Sequence, residues 1–163
     1  MFLGSGGPLT TVADTSGLFT GFSDGVALND GTVVTFQATF DTLGGEQHGI
    51  FTAHDGDVTP ITDSSGPFDG YLNPTVNDLG DIAFSAAFDA GGGGIFTGAD
   101  PALDKVIEIG DTLDGLIVTG ISFGEIGGNH GLNNSGQLAF WARLSDGNVG
   151  LYLASPVPLP PAF

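Results

Sequence analysis

The sequence contains no cysteine, which excludes disulfide bonds and thiolate metal sites. Basic residues are nearly absent as well: Lys105 and Arg143 stand against 19 acidic residues, and the formal net charge is -17. A chain of this charge cannot neutralise phosphate groups, so we expect neither nucleic acid nor an anionic membrane surface as a partner. Its counter-ions are cations, and a bound divalent ion would relieve part of the repulsion between the acidic groups.

Long apolar segments are also missing. No stretch approaches the roughly 20 apolar residues that a membrane-spanning helix needs. The first residues, MFLGSGG, lack the charged-then-apolar pattern of a secretory signal peptide. We therefore expect the chain as given to be soluble and free of a membrane segment, and both a processed product and a fragment of a longer protein fit its ends.

Aromatic and turn-forming residues, in contrast, are plentiful. The 163 residues include 13 Phe, 29 Gly and 9 Pro, and 40% of the chain is apolar. The Phe residues with many Val, Ile and Leu predict a packed core, and the Gly and Pro residues predict frequent tight turns. This combination favours an all-β fold, and the length favours one domain.

Three strings of equal length resemble one another. Aligned without gaps, they superpose Asn29, Asn77 and Asn133, and each has a Phe seven residues after the Asn. The strings are residues 27–40 (ALNDGTVVTFQATF), 75–88 (TVNDLGDIAFSAAF) and 131–144 (GLNNSGQLAFWARL). The chain thus repeats itself with a period of about 50 residues.

Two further elements recur with the same period. One is a short apolar string after glycine, found as HGIFTA (48–53), GGIFTG (93–98) and VGLYLA (149–154), with MFLGS at the start as a similar string. The other spans residues 9–21, 58–70 and 106–120 and aligns Asp14, Asp63 and Asp111. Each element reads as a strand followed by a turn, because apolar and polar residues alternate and Gly-rich joints separate the strings.

A period near 50 without a helical signature is typical of a β-array such as a propeller, in which each unit supplies one small sheet. We predict an all-β, propeller-like array of three four-stranded repeat units plus one surplus strand, with no significant helix. The predicted boundaries are a single domain over 1–155, units at about 1–47, 48–92 and 93–148, an extra strand at 149–154, and a Pro-rich arm at 156–163.

The surplus strand has a physical consequence. The chain begins and ends on the same type of strand, whereas an unpaired sheet edge exposes free N–H and C=O groups that proteins normally cover. A terminal strand can close the array within its own chain, or it can pair with another copy and propagate into a ring, helix or tube. The sequence does not indicate which of the two ends of the chain donates the strand.

The alternation of these strings resembles the tandem NxxGxxAF repeats of exported bacterial proteins, many of which carry a PEP-CTERM sorting signal. The resemblance covers nearly the whole chain, and the first unit departs from it at Thr32 and Thr35, where the motif has Gly and Ala. The matching residues are Asn77, Gly80, Ala83 and Phe84 in the second unit and Asn133, Gly136, Ala139 and Phe140 in the third.

The C-terminal string SPVPLPPAF resembles the beginning of that sorting signal, without the apolar helix and basic tail that follow in the family. The resemblance implies export and a location on the cell surface or in the extracellular matrix. It implies no catalytic activity. Calcium-binding extracellular proteins that form tubes or filaments are the comparison it suggests.

The acidic turns are candidate calcium ligands, because Asp and Asn side-chain oxygens with the carbonyls of Gly-rich turns are the hard ligands that calcium prefers. The same residues favour turns without any metal, since their side chains hydrogen-bond the local backbone. No calcium-loop motif appears, so calcium is expected from composition alone. The candidate ligands are Asn29, Asp30, Asn77, Asp78, Asp14, Asp63, Asp111, Asp55 and Asp57. For the aligned Asn residues we favour a structural task, which is to hold the turn before the following strand.

Signals for catalysis are weak. His48, His54 and His130 do not occupy equivalent repeat positions and show no metal-ligand spacing. There is no GxSxG elbow, and repeated acidic turns give no sign of the two distinct carboxylate environments that a glycosidase needs. We therefore expect no enzyme.

Two functions remain. The first is a structural subunit of an extracellular filament or tube, whose partners are copies of itself, assembled by β-strand complementation and stabilised by calcium. The alternative is a propeller-like binding module of a larger surface protein that recognises matrix polysaccharide or a protein. Both rest on the repeats and the charge.

Overall fold

A computed structural model describes residues 10–124 and 131–156, and the account below concerns these residues. They form twelve β-strands and no helix, so the all-β prediction is confirmed. No helix long and apolar enough to span a membrane occurs in this part of the chain. The string MFLGS and the last seven residues of the predicted Pro-rich arm lie outside the described residues.

The strands form three four-stranded antiparallel sheets, each a meander of consecutive strands. The first sheet contains β1 (Phe19–Leu28), β2 (Val34–Thr42), β3 (Gly45–His54) and β4 (Asp57–Asp63). The second contains β5 (Phe68–Val76), β6 (Ile82–Phe88), β7 (Gly93–Phe96) and β8 (Lys105–Glu108). The third contains β9 (Thr112–Leu113), β10 (Leu116–Ser122), β11 (Leu138–Leu144) and β12 (Val149–Ala154). These residues form three sheets in series and do not include a closed ring of blades.

The sheets begin at a different point of the repeat from the units that we expected at 1–47, 48–92 and 93–148. Each of the first two sheets starts at the strand that follows the aligned Asp, so the first sheet ends at Asp63 and the second begins at Phe68. A periodic sequence does not state which of its connections is a hairpin and which leads to the next sheet. The link over 64–67 leads to the next sheet, since β4 and β5 do not pair.

The strand at 149–154, which we expected to be left over, belongs to the third sheet as β12. It pairs antiparallel with β11, from Arg143 opposite Val149 to Leu138 opposite Ala154. The fourth strand of this sheet is instead the two-residue β9, which pairs with β10 at the other edge. Strands β3 and β7, the equivalents of β12, pair on both sides, whereas β12 has one partner among the described residues.

The two faces of each sheet serve different cores, because side chains alternate along a strand. On β6, Ile82, Phe84 and Ala86 point into the core of the second sheet, as the alternation of IAFSAAF predicts, while Ala83 points into the core of the third sheet. The cores of the second and third sheets therefore lie between successive sheets, and each combines the Phe-Ala face of its own sheet with the opposite face of the sheet before it. Among the described residues, the core of the first sheet is built from that sheet and Ala13 alone.

One isoleucine of each of the first two sheets is buried in the core of the sheet that follows. Ile50 of β3 is fully buried in the core of the second sheet, and Ile95 of β7 is fully buried in the core of the third. Both occupy the same position of the GIF-type string. The second and third units are thus each stabilised by an apolar residue of the preceding unit that is buried in their core.

Thr35 is the one buried side chain among the described residues whose polar atom has no hydrogen-bond partner. It stands where the second unit has the fully buried Ala83. Since an unpaired buried hydroxyl is destabilising, Thr35→Val is expected to raise the free energy of unfolding by about 1 kcal/mol. Urea unfolding measures this change.

A matched control is available in Thr62, which is also buried but whose hydroxyl lies 3.2 Å from the Tyr71 hydroxyl. Thr62→Val is expected to lower the free energy of unfolding by about 1 kcal/mol, because it removes the partner of Tyr71. Equal effects of the two substitutions would contradict the prediction.

Candidate functional site: an asparagine ladder and two end faces

Each aligned Asn holds the turn before its core strand. The Asn77 side-chain Oδ1 accepts hydrogen bonds from the backbone N–H groups of Leu79 (3.0 Å) and Asp81 (2.9 Å). The Asn29 and Asn133 Oδ1 atoms accept the corresponding bond from the residue four positions later, at 2.8 Å and 3.0 Å. The structural task expected for these residues is confirmed.

The same side chains also join the sheets to one another. The Asn29 Nδ2 donates to the backbone carbonyl of Asn77 at 2.8 Å, and the Asn77 Nδ2 donates to the carbonyl of Asn133 at 3.0 Å. Asn29 and Asn77 are buried, whereas Asn133, at the end of the series, is exposed. Three units are thus linked by one residue type that both accepts and donates.

A second row of hydrogen bonds runs beside the first. The Asp30 backbone N–H donates to Asp78 Oδ1 at 2.9 Å, and the Asp78 backbone N–H donates to Asn134 Oδ1 at 3.0 Å. We call the two rows together the asparagine ladder. Its members are Asn29, Asp30, Asn77, Asp78, Asn133 and Asn134.

The Asp78 carboxylate is the central charged group of the ladder. The pKa of Asp78 is lowered, first by the bond from the Asp30 backbone N–H and second by the Asn134 side chain, whose Nδ2 donates at 2.6 Å. Both bonds favour the ionised form. Because the folded pKa is depressed, this contribution to stability is present above the ordinary pKa of Asp and is lost as the pH falls through the lowered value.

The ladder has a direction and two open ends. Within the described residues, the Asn134 backbone N–H and one hydrogen of the Asn133 amide have no acceptor at the third unit, since Asn133 Nδ2 donates only to Gln137 Oε1 at 2.9 Å. At the first unit, the Asp30 carboxylate receives no hydrogen bond from the residues that the structure describes. One end therefore offers donors, and the other offers acceptors.

The remaining calcium candidates occupy separate local turns. The Oδ1 atoms of Asp14 and Asp63 accept bonds from the N–H and hydroxyl of Ser16 and Ser65, respectively. The bonds from Ser16 lower the pKa of Asp14. The equivalent Asp111 departs from this arrangement, because its carboxylate forms an ion pair with Lys105 at 2.9 Å.

Asp55 and Asp57 flank the tight turn between β3 and β4, where Asp55 has a φ of 53°. In residues 10–124 and 131–156, no three His, Asp or Glu side chains are grouped so that they could hold a metal ion. Of the nine candidates, the structure brings together Asn29, Asp30, Asn77 and Asp78, and it does so through hydrogen bonds.

The third sheet exposes an apolar surface, which we call the trailing face. The side chain of Leu151 on β12 is 86% exposed, although its equivalents Ile50 and Ile95 are 0% exposed. Ala139 is exposed where Ala83 is buried. The trailing face consists of Ala139, Trp141, Arg143, Leu151 and Leu153.

A shallow cleft of about 660 Å³ opens beside this face, between Phe123, Trp141 and Leu151. The Arg143 guanidinium carbon lies 5.7 Å from the centre of the Trp141 ring, which is the distance of a cation–π contact. Arg143 forms no ion pair among the described residues. One of the two basic residues of the chain thus lies on the trailing face.

The first sheet exposes a second apolar surface, which we call the leading face and which consists of Phe22, Val26 and Leu28. Phe22 is 46% exposed and Leu28 is 67% exposed, whereas their equivalents in the second unit, Tyr71 and Val76, are 3% and 8% exposed. The first sheet covers Tyr71 and Val76, since both belong to the core that Ile50 enters. The leading face lies beside the core of the first sheet, whose residues Phe19 and Phe36 are buried.

A second cleft of about 540 Å³ lies where the first two sheets meet. Gln37, His48 and Tyr71 are among the residues that line it. The His48 Nε2 lies 2.6 Å from the Asp69 carbonyl oxygen, and burial raises the pKa of Tyr71 to about 12. The side chains of Gln37, His48 and Tyr71 can form hydrogen bonds. Among these three residues, no nucleophile is hydrogen-bonded to a general base.

A family model matches residues 5–162 and is described as a family of unknown function, DUF7453. The chain belongs to this family. No curated protein and no solved structure matches the sequence. The family therefore supplies no ligand or partner, and the function has to be argued from the ladder and the two faces.

The sequence did not predict the hydrogen bonds that join one unit to the next, which we call the rungs of the ladder, or the two exposed faces. A signal for the rungs was present, because Asp or Ser would have sufficed to hold each turn, whereas Asn recurs three times. Asn alone among these residues combines an acceptor oxygen with a donor nitrogen. A position that requires Asn in every unit indicates that both functions are used.

Proposed function

We propose that this protein is a structural subunit that assembles head to tail into an extracellular filament or tube, with copies of itself as its partner. The observation that carries the proposal is the exposure of Leu151, whose two equivalents are fully buried by the following sheet. In the assembly, the trailing face of one copy covers the leading face of the next. Contact between two different faces is heterologous, so it continues into a ring or an open polymer.

The internal junctions support this arrangement. Between the first and second sheets, Ile50 packs with Tyr71 and Val76 in one core. The exposed Leu151 and the exposed Phe22 and Leu28 are the equivalents of these residues at the two ends. A surface of this composition is apolar, and its burial is favourable by about 25 cal/mol for each Å² removed from water. The proposed contact between two copies would therefore resemble the contact between successive sheets within one chain.

Strand complementation and a propeller-like order of units are parts of the same proposal. The outer edge of β12 has no partner among the described residues, whereas β3 and β7 pair there with β4 and β8. An unpaired edge readily accepts a strand from a neighbouring molecule. A terminal strand of another copy would complete this sheet and continue the array of blades.

The high negative charge of the chain is the reason why the proposal includes calcium. Copies of a chain with a formal charge of -17 repel one another, so assembly needs cations that screen this repulsion. Carboxylates in exposed turns that are shared between two copies bind calcium by its preference for oxygen ligands. The extracellular location follows from the resemblance to exported repeat proteins and is tested by fractionation of the native host.

The experiment compares the unmodified chain with Leu151→Asp by sedimentation and negative-stain imaging in calcium. We expect the unmodified chain to form rings or filaments and Leu151→Asp to remain monomeric, because a carboxylate on the trailing face cannot be buried without a partner. Leu43→Asp is the matched control, since Leu43 is fully exposed at the tip of the β2–β3 hairpin and away from both faces. Monomers of the unmodified chain under all conditions would refute the proposal.

A chelator separates the calcium component from the assembly. Loss of the polymers in excess chelator, and their return with calcium, would support calcium as the stabilising ion. Polymers that persist in chelator would remove calcium from the proposal and leave the assembly standing.

A binding module remains the second candidate, and the cleft between the first two sheets favours it. The cleft presents Gln37 and His48, whose side chains can hydrogen-bond to a polysaccharide. A glycan array tests this function, with His48→Ala and Gln37→Ala as variants. Binding that these substitutions leave unchanged would exclude the cleft as the site.

A further inference from the structure

We infer that the asparagine ladder continues from one copy to the next, so that the third unit of one molecule and the first unit of its neighbour form another rung. This inference rests on the head-to-tail assembly proposed above and specifies its contact. The amide of Asn133 donates to the backbone carbonyl of Asn29 in the neighbouring copy, and the backbone N–H of Asn134 donates to the Asp30 carboxylate of that copy.

The first argument is that the same rung already occurs twice within the chain. The side-chain amide of one unit donates to the aligned carbonyl of the next at 2.8 Å and 3.0 Å. In the second row, the backbone N–H of one unit donates to the side-chain oxygen of the next at 2.9 Å and 3.0 Å. Units that repeat in sequence and in turn geometry can repeat this contact between molecules.

The second argument is that, within the described residues, the atoms needed for another rung can each form one more hydrogen bond at the two ends. A carbonyl at this position can accept two hydrogen bonds, since the Asn77 carbonyl accepts one from the Gly80 N–H (3.1 Å) and one from the Asn29 amide. The Asn29 carbonyl accepts the Thr32 N–H at 3.3 Å and has its second lone pair available to the amide of a neighbour. The Asp30 carboxylate is likewise available at this end of the described chain.

The third argument is polarity. The third unit ends in N–H donors and carries Arg143 on its trailing face, whereas the first unit ends in a carboxylate and a carbonyl. Contact between two third units would oppose donors to donors, and contact between two first units would oppose the carboxylates. Because the complementary pairing joins unlike ends, the ladder directs the assembly to be head to tail.

Cysteine substitution can test this contact directly, because the chain has no cysteine of its own. In the double variant Asp30→Cys with Asn134→Cys, we expect oxidation to give a series of covalent oligomers on a non-reducing gel. The matched control is Asp30→Cys with Asp78→Cys, where the two positions meet inside one chain and the expected disulfide is intramolecular. Mass spectrometry of the linked peptides identifies each bond.

The outcomes separate this inference from the proposed function. Filaments or rings that form without the intermolecular disulfide, while the control pair does form its bond, would overturn the ladder contact and leave the assembly intact. An intramolecular bond between positions 30 and 134 would also overturn it, because the ends would then meet within one chain. Absence of any assembly would refute the proposed function itself.

A second measurement avoids disulfide geometry. Asp30→Ala removes the acceptor at the first unit and leaves the fold unaffected, since this carboxylate accepts no hydrogen bond from the described part of its own chain. We expect the concentration needed for assembly to rise about tenfold, the effect of one hydrogen bond to a charged group. Glu46→Ala, at an exposed position beside the β2–β3 hairpin loop and away from the ladder, should leave that concentration unchanged. Equal values for the two variants would overturn the inference.

Discussion

Replacement of Ile95 by alanine is expected to lower the free energy of unfolding by about 2–5 kcal/mol, the range for a large apolar side chain removed from a core. Ile95 is 0% exposed and packs with Val118, Phe140 and Ala142 of the third sheet. The substitution therefore weakens the contact between two sheets as well as the strand that carries the residue. Urea unfolding of the dispersed subunit, followed by the fluorescence of Trp141 in the third sheet, measures the change.

The control is Leu151→Ala at the equivalent position of the third unit. Leu151 is 86% exposed, so its truncation should change the free energy of unfolding of the free subunit by less than about 0.5 kcal/mol. The same substitution should weaken assembly, since it reduces the trailing face. If Leu151→Ala destabilises the subunit as much as Ile95→Ala does, that face is covered within the molecule and the proposed contact is wrong.

The second large effect is expected from Asn77→Ala, which should lower the free energy of unfolding by about 2–4 kcal/mol. Asn77 is 4% exposed, and its side chain accepts bonds from Leu79 and Asp81 and donates to the Asn133 carbonyl. Alanine would leave these backbone groups without their partner in a largely buried place. The expected loss of free energy exceeds that of a single hydrogen bond, because the substitution removes both the bonds that hold the turn and the bond to the next unit.

Asn133→Ala separates these two contributions. Asn133 holds the same type of turn through Ser135 and Gln137 but donates to no further unit among the described residues, and it is exposed. We expect it to lower the free energy of unfolding by about 1–2 kcal/mol. Thermal and urea unfolding of both variants, in monomeric conditions, give the difference that belongs to the rung. Equal losses would show that the bond between units contributes nothing to stability.

Several features of the fold could be predicted because they depend on local chemistry. The alternation in residues 82–88 predicts the inward face of β6, and the structure confirms it. The Asn at 29, 77 and 133 predicts a turn, and the turn is present three times. Period-2 patterns and turn residues act over a few positions, so a sequence read in short windows contains them.

The candidate site was predictable only in part. The nine proposed ligands include four that meet in the ladder, where the structure shows hydrogen bonds between units that the composition did not indicate. The Asp111 position was aligned with Asp14 and Asp63, but Lys105 pairs with it. The bonds of the ladder could not be predicted because their partners lie 48 and 56 residues apart, at a distance in sequence that local patterns do not specify.

The sequence by itself determined the strands, the turns and the existence of three units, because each follows from residues close together along the chain. It did not determine which four strands share a sheet, since a periodic string has no preferred starting point. Only the tertiary structure placed 149–154 in the third sheet as β12. It also distinguished Ile50 and Ile95 from Leu151, three equivalent residues whose burial depends on whether another sheet follows. Burial is a property of neighbours in space, and it turned one repeated residue into two core positions and one exposed face.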